Sequence, residues 1–244
     1  MLLHPLGTDR HVWDPIVERL RDRRELIAVD LPGFGESPPL ADDVPPTPKV
    51  LAIAVAELLL SLGLERPPVA GNSLGGWVAL ELGLASAAGS VTAIAPAGLW
   101  PRPLVPKPGT AHHLANRLLP LVGSVTFNRL GRRLLLANAV AHPSRISAKG
   151  AAQLIRAYAR ASGFKAVNDA MRAGAFGGLE RIRVPVTLIW PERDRLIARP
   201  PWLPDNVRSI VLEDAGHIPM WDAPDALATL LLESSAAEAG TRRR

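Results

Sequence analysis

Cysteine is absent from all 244 residues, which excludes disulfides, thiolate nucleophiles and cysteine metal ligands. The six histidines form neither H-x-x-x-H nor H-E-x-x-H, so no metal site is expected. No apolar run approaches the roughly 18 residues of a membrane-spanning helix. Met1-Leu2-Leu3-His4-Pro5 lacks the basic lead and the length of a secretory signal. These absences predict a cytoplasmic protein with no membrane partner. Lysine is scarce, standing only at 49, 107, 149 and 165, and arginine is scattered apart from clusters at Arg19–Arg24, Arg129–Arg133 and the C-terminal end. The net charge of +5 and the pI near 10.4 therefore do not predict a nucleic-acid partner, which needs basic charge gathered on one face.

What remains alternates in the manner of βαβ units. Short apolar runs bounded by Gly, Pro or Asp predict strands at Leu26–Asp30, Pro68–Gly71, Val91–Ala95, Val184–Trp190 and Val207–Leu212, with Met1–Leu3 a shortened sixth. Helices are predicted at Val12–Arg21, Pro48–Leu62, Leu74–Ala87 and Ala223–Leu232. Thr47 and Pro48 supply an N-cap and a first-turn proline, and Val50, Ala54, Leu58 and Leu62 keep a helical spacing. Such alternation reads as an α/β fold with a mostly parallel sheet flanked by helices. From 99 to 178 the strand signal disappears. Helical stretches at Ala111–Leu121, Val125–Leu136 and Ala148–Ala161 make this an inserted helical cap on a core of 1–98 and 179–236, followed by a flexible tail at 237–244. Small residues around Ala170–Gly178 suggest a hinge. One domain of this length forms a single large core.

The most informative stretch is Val69-Ala70-Gly71-Asn72-Ser73-Leu74-Gly75-Gly76, in which an apolar strand enters Gly-x-Ser-x-Gly and a helix follows at once. A serine nucleophile there stands on a strained turn, and side chains two residues either side would strike backbone. Free N–H groups at the helix start favour developing negative charge. A serine hydroxyl also needs a base, and the base a carboxylate that fixes its tautomer. Asp194 follows the apolar run Val184–Trp190, with Glu192 a rival two residues earlier. His217 follows the last strand, between Gly216 and Ile218-Pro219. Ser73, Asp194 and His217 thus occur in the order such elbows use.

Five pieces together resemble the α/β-hydrolase superfamily, in the branch of lid-bearing esterases, lactonases and carbon–carbon bond hydrolases. They are His4-Pro5-Leu6-Gly7, Asp30-Leu31-Pro32-Gly33-Phe34-Gly35-Glu36-Ser37, Gly71–Gly76, Trp190–Asp194 and Gly216–Pro219. The resemblance implies an oxyanion hole from the backbone N–H groups of Leu6 and Leu74, with His4 and the Asp30 turn as scaffold. Position 5 is Pro where the family usually has Gly, but its missing N–H is not the expected donor. Members normally carry a strand hairpin ahead of the His4 loop, and this chain begins almost within that loop, so the expectation is either a native start upstream of Met1 or a natural truncation with a smaller sheet and an exposed edge.

The resemblance implies a serine hydrolase that cleaves a carboxylic ester or lactone through an acyl-enzyme, without a cofactor. A carbon–carbon bond hydrolase acting on dienone ring-cleavage products is the alternative. Gly71-Asn72-Ser73 favours it, whereas Ile218 stands where those enzymes have Trp, and Trp221 is displaced. Ser73 argues against haloalkane dehalogenase and epoxide hydrolase chemistry, which in this family uses Asp. Two non-enzyme readings compete: a triad-bearing binding or receptor module, and a basic surface-binding protein whose binding salt abolishes. Trp100, Leu114, Phe127, Phe176 and Ile218 are candidate substrate contacts. A monomer or homodimer acting on a small ester, lactone or dienone is expected.

Overall fold

A computed structural model describes residues 1–105, 110–117 and 119–241. The core begins with β1 (Leu2–Leu3), α1 (Asp14–Leu20) and β2 (Ala28–Val29). Next come α2 (Pro48–Ser61), β3 (Val69–Asn72), α3 (Leu74–Leu84) and β4 (Val91–Ile94). Five helices follow: α4 (Thr110–Arg117), α5 (Val122–Phe127), α6 (Arg129–Leu136), α7 (Ala148–Arg160) and α8 (Phe164–Ala173). The chain then returns through β5 (Val186–Pro191), β6 (Val207–Leu212), α9 (Pro219–Asp222) and α10 (Pro224–Thr241). The six strands form one sheet in the order β2-β1-β3-β4-β5-β6, parallel throughout.

Every residue of β3, β4 and β5 is buried, as expected of inner strands covered on both faces. Alternate residues divide between two apolar layers. Val69, Val91, Ala93 and Leu188 pack with Phe34, Trp77 and Leu80, whereas Ala70, Ile94 and Ile189 pack with Trp13, Ile16 and Leu227. The segment between β4 and β5 joins both layers: Val167 and Met171 of α8 and Phe176 beyond it enter the first, Leu136, Leu154 and Ile155 the second.

The strand order reverses direction between β1 and β3. In an open parallel sheet the crevice beyond the carboxyl ends of two such strands is the natural ligand site. The loop after β1 carries His4–Thr8, and the turn after β3 carries Ser73.

Several details differ from the sequence expectations. Helix α2 buries Leu51, Ala52, Val55 and Leu59, while Leu62 is half exposed. The period is as expected, but the core stripe lies beside the one chosen, because this leucine-rich helix offers two adjacent apolar rows. The stretch Val125–Leu136 is two helices, broken at Asn128, whose extended backbone (ψ 135°) ends α5 and whose side chain accepts from the Leu130 N–H at 2.8 Å. Helix α8 occupies part of the segment read as a hinge. The residues beyond α8 are anchored, with the Trp100 Nε1–H donating to the Gly174 carbonyl at 2.8 Å and Phe176 N–H to Gly98. The tail expected from 237 is helical as far as Thr241.

Candidate active site

Ser73 sits between β3 and α3 with φ 55° and ψ −112°, a conformation that costs an L-residue on the order of 1–3 kcal/mol. Its surroundings enforce it. Ser73 N–H donates to Ile94, and the Ser73 carbonyl accepts from both Trp77 and Ala97. A Cβ on Gly71 would lie 2.0 Å from the Gly75 carbonyl oxygen, and one on Gly75 would lie 2.3 Å from that of Leu3. The two flanking glycines are therefore required by the close approach of strand and helix.

Asp194 lies just beyond β5 with its side chain 3% exposed, and His217 just beyond β6 at 7%. His217 Nδ1 stands 2.7 Å from Asp194 Oδ2. The other carboxylate oxygen, Oδ1, accepts the N–H groups of Leu196 at 2.7 Å and Ile197 at 3.0 Å. These three bonds fix the carboxylate plane. An ionised carboxylate only accepts, so Nδ1 carries the proton and Nε2 is left with a free lone pair. The rival Glu192 turns away, its Oε2 accepting the Asp214 N–H at 3.0 Å.

The backbone around His217 is tied on two sides. Asn72 Nδ2 donates to the His217 carbonyl at 3.1 Å and to Ile94 at the same distance. Asp222 accepts from Gly216, Ala141 and His142 at 2.7–2.9 Å, binding the histidine loop to the segment after α6.

The loop after β1 is held around the Pro5 carbonyl, which accepts from His4 Nδ1 at 2.8 Å, Thr8 Oγ1 at 3.0 Å and Thr8 N–H at 3.3 Å. His4 Nε2 in turn accepts the Leu31 N–H at 2.9 Å, so this fully buried ring is a neutral bridge between two loops. Burial pushes its pKa down to about 4, against the opposing pull of the Pro5 bond and the Asp30 charge. Asp30 accepts from Arg10 and Glu36 N–H and pairs with the Arg10 guanidinium. Burial alone would raise its pKa, but these partners bring it below the ordinary value.

Ser73, His217, Leu6 and Thr8 all face one cavity of about 710 Å³ between the strand ends and the helical insertion. Its wall is chiefly apolar. Of the expected contacts, Trp100 and Ile218 line it. Phe127 does not, being 82% exposed on the outer surface, because α5 ends there and turns it outward. Phe176 is absorbed into the apolar layer with Trp77 instead. The Leu114 side chain lies outside the described residues. Leu154, Ile155 and Met171 were not anticipated, nor were the polar groups Tyr158, Asn168 and Arg172. Only the inward faces of α7 and α8 could have pointed to them. Trp221 packs beside Gly150 of α7.

Comparison with known proteins places this arrangement. The model of the alpha/beta hydrolase family matches residues 1–230. Over 205 residues, 75% of this chain and 92% of the relative, the sequence is 34% identical to epoxide hydrolase EphH of Mycobacterium tuberculosis. The enol-lactonase of Burkholderia xenovorans LB400 superposes with a TM-score of 0.71 at 22% identity, covering 95% of this chain and 88% of that one. A thermophilic esterase from Thermogutta terrifontis does so at 0.70 and 20% identity, covering 97% and 89%. With its all-parallel sheet, its strand–serine–helix turn and a family match over nearly its whole length, the chain belongs to the α/β-hydrolase family.

Proposed function

We propose that the protein is a serine hydrolase that cleaves carboxylic esters or lactones through an acyl-enzyme, with Ser73 as nucleophile, His217 as base and Asp194 as its orienting carboxylate. The observation that carries this reading is the convergence of a strained Ser73 and a carboxylate-bound His217 on one apolar cavity. His217 Nε2 takes the Ser73 proton as Oγ attacks the carbonyl carbon. The same proton then goes to the leaving alcohol, and water repeats the sequence on the acyl-enzyme.

The oxyanion is assigned to the N–H groups of Leu6 and Leu74. Leu74 opens α3, where the first N–H groups have no acceptor within the helix. Leu6 N–H shares a planar trans peptide with the Pro5 carbonyl, so three donors holding that carbonyl on one side aim the N–H to the other. This gives His4 its role: it shapes the hole without touching substrate. The helices from 99 to 178 act as a cap that excludes water and selects substrate.

Epoxide opening, the activity in the name of the relative EphH, is a second reading, and the chemistry at residue 73 disfavours it. A carboxylate that opens an epoxide forms an ester, which water can cleave. A serine would form an ether, which has no acyl carbon for water to attack, and turnover would stop. Carbon–carbon hydrolysis of a dienone remains the alternative within the same triad.

The test is hydrolysis of p-nitrophenyl esters of increasing acyl length, wild type beside Ser73→Ala. Expected is turnover by wild type, better for medium acyl chains than for acetate given the apolar cavity, and a loss of at least about a thousandfold in the variant. Equal rates in the two proteins would sink the reading. Dienone and epoxide substrates, run alongside, decide among the alternatives.

A further inference from the structure

Between Glu81 and Asp169 the sequence has eleven Arg or Lys and no Asp or Glu. The rest of the chain, with 17 basic and 23 acidic residues, is net negative. The positive charge of the molecule is therefore gathered on its helical insertion.

The same layer turns large apolar side chains to solvent: Phe127 is 82% exposed, Leu134 72% and Leu130 60%. Helix geometry arranges them. On α6, Arg132 and Leu136 are buried against the body. At 100° per residue, Leu130 and Leu134 fall on the opposite side, and Arg129 and Arg133 form a row along one flank of that apolar ridge. On the other flank Leu135 lines the catalytic cavity. Arg132 Nη1 donates to the Thr126 carbonyl at 2.7 Å and the Phe127 carbonyl at 3.0 Å, fixing the elbow between α5 and α6. Among the described residues, the ion pairs of this stretch are formed by His142, Arg145 and Lys165, and not by Arg129 or Arg133.

We propose that this face docks the protein on an anionic lipid surface, with Phe127, Leu130 and Leu134 entering the headgroup boundary and Arg129 and Arg133 meeting lipid phosphates. A ridge of outward apolar residues beside a basic row is the pattern of an interfacial helix. A fluid lipid boundary buries such a ridge without needing a shaped counterpart, and the one carboxylate of the insertion, Asp169 on α8, is paired with Lys165 at 2.7 Å, away from α6. No helix among the described residues is long and apolar enough to cross a membrane, and surface docking does not require one. The expectation of no membrane partner rested on the missing span and the missing secretory signal, neither of which bears on surface docking. Docking would bring the Leu135 side of the cavity to the lipid boundary, where amphiphilic molecules partition.

The experiment is sedimentation of the full chain with phosphatidylcholine vesicles, with and without phosphatidylglycerol, at low and high salt. Expected is binding only to the anionic vesicles, suppressed by salt. Arg129→Gln with Arg133→Gln should weaken it roughly 30-fold, at about fivefold per basic residue. Phe127→Ser with Leu134→Ser should weaken it by about tenfold or more. All four side chains are exposed, so both variants should keep the wild-type thermal midpoint, which separates lost docking from lost folding. No binding to anionic vesicles, equal binding to neutral ones, or arginine variants that bind like wild type would overturn the proposal. So would binding to soluble polyglutamate without binding to vesicles, which would indicate an acidic protein partner.

Discussion

Replacing Asp194 by Asn perturbs the proposed triad through a single atom. The amide oxygen can keep the Leu196 and Ile197 N–H bonds, so the loop has no reason to move. The amide nitrogen, a donor, then falls where Oδ2 stood, 2.7 Å from His217 Nδ1. Two N–H groups cannot face each other at that distance. The imidazole resolves the conflict by carrying its proton on Nε2, which leaves no lone pair for the Ser73 proton. Loss of the tautomer, together with loss of the negative charge opposite a developing imidazolium, should lower kcat about 10,000-fold. That corresponds to about 5 kcal/mol of transition-state stabilisation. Folding stability should change little, since shape and backbone bonds are preserved. The assay is steady-state hydrolysis of the best p-nitrophenyl ester, with urea unfolding of the same samples. A variant of unchanged stability whose kcat stays within about tenfold of wild type would refute the assignment of His217 as base.

Three further outcomes are expected. His4 is held neutral with a pKa near 4, while an unfolded histidine titrates near 6.5. Because the folded value is the lower, its contribution is complete above about pH 6.5 and is lost as pH falls toward 4, by about 3 kcal/mol at most. Urea midpoints across this window should fall in wild type and fall less steeply in His4→Gln. Gly35 has φ 55°, and a Cβ there would lie 2.3 Å from the Asp30 carboxylate. Gly35→Ala should therefore cost about 2–4 kcal/mol in the same unfolding measurement, from left-handed backbone strain and a weakened charge-assisted bond. Asp222→Asn leaves at least one of three backbone donors without its acceptor, costing roughly 1–3 kcal/mol. It should lower kcat/KM for the same esters, because the disturbed loop carries His217 and, next to it, Ile218 of the cavity wall.

The residues of the candidate site were legible because their chemistry leaves local marks. A serine between two glycines at a strand–helix junction has few other reasons to exist, and Asp194 and His217 each follow an apolar run at the same end of the sheet. The sheet was legible for a related reason, since inner strands such as Val186–Pro191 are apolar on both faces and stand out as continuous runs. The cavity wall was not. Phe127 and Phe176 looked alike in sequence, yet a helix break at Asn128 turns one outward and core packing against Trp77 withdraws the other. Tyr158 and Asn168 line the cavity only through the angle at which α7 and α8 cross the strand ends, and that angle arises from contacts far apart in sequence. Helix α8 was missed because its glycine- and alanine-rich surroundings read as a flexible joint.

The helical insertion shares side chains with the apolar layers on both sides of the sheet, Met171 and Phe176 with one, Leu154 and Ile155 with the other. Lifting it as a rigid body would strip both layers at once, at roughly 25 cal/mol for every Å² of apolar surface wetted. Among the described residues it is a roof resting on two walls. With Ser73 as the proposed nucleophile, a roof held on both sides is expected to admit molecules without lifting, so that their rate of capture falls as their cross-section grows. Slender linear esters should be captured quickly, whereas branched or polycyclic ones that the chamber could hold are delayed at its threshold.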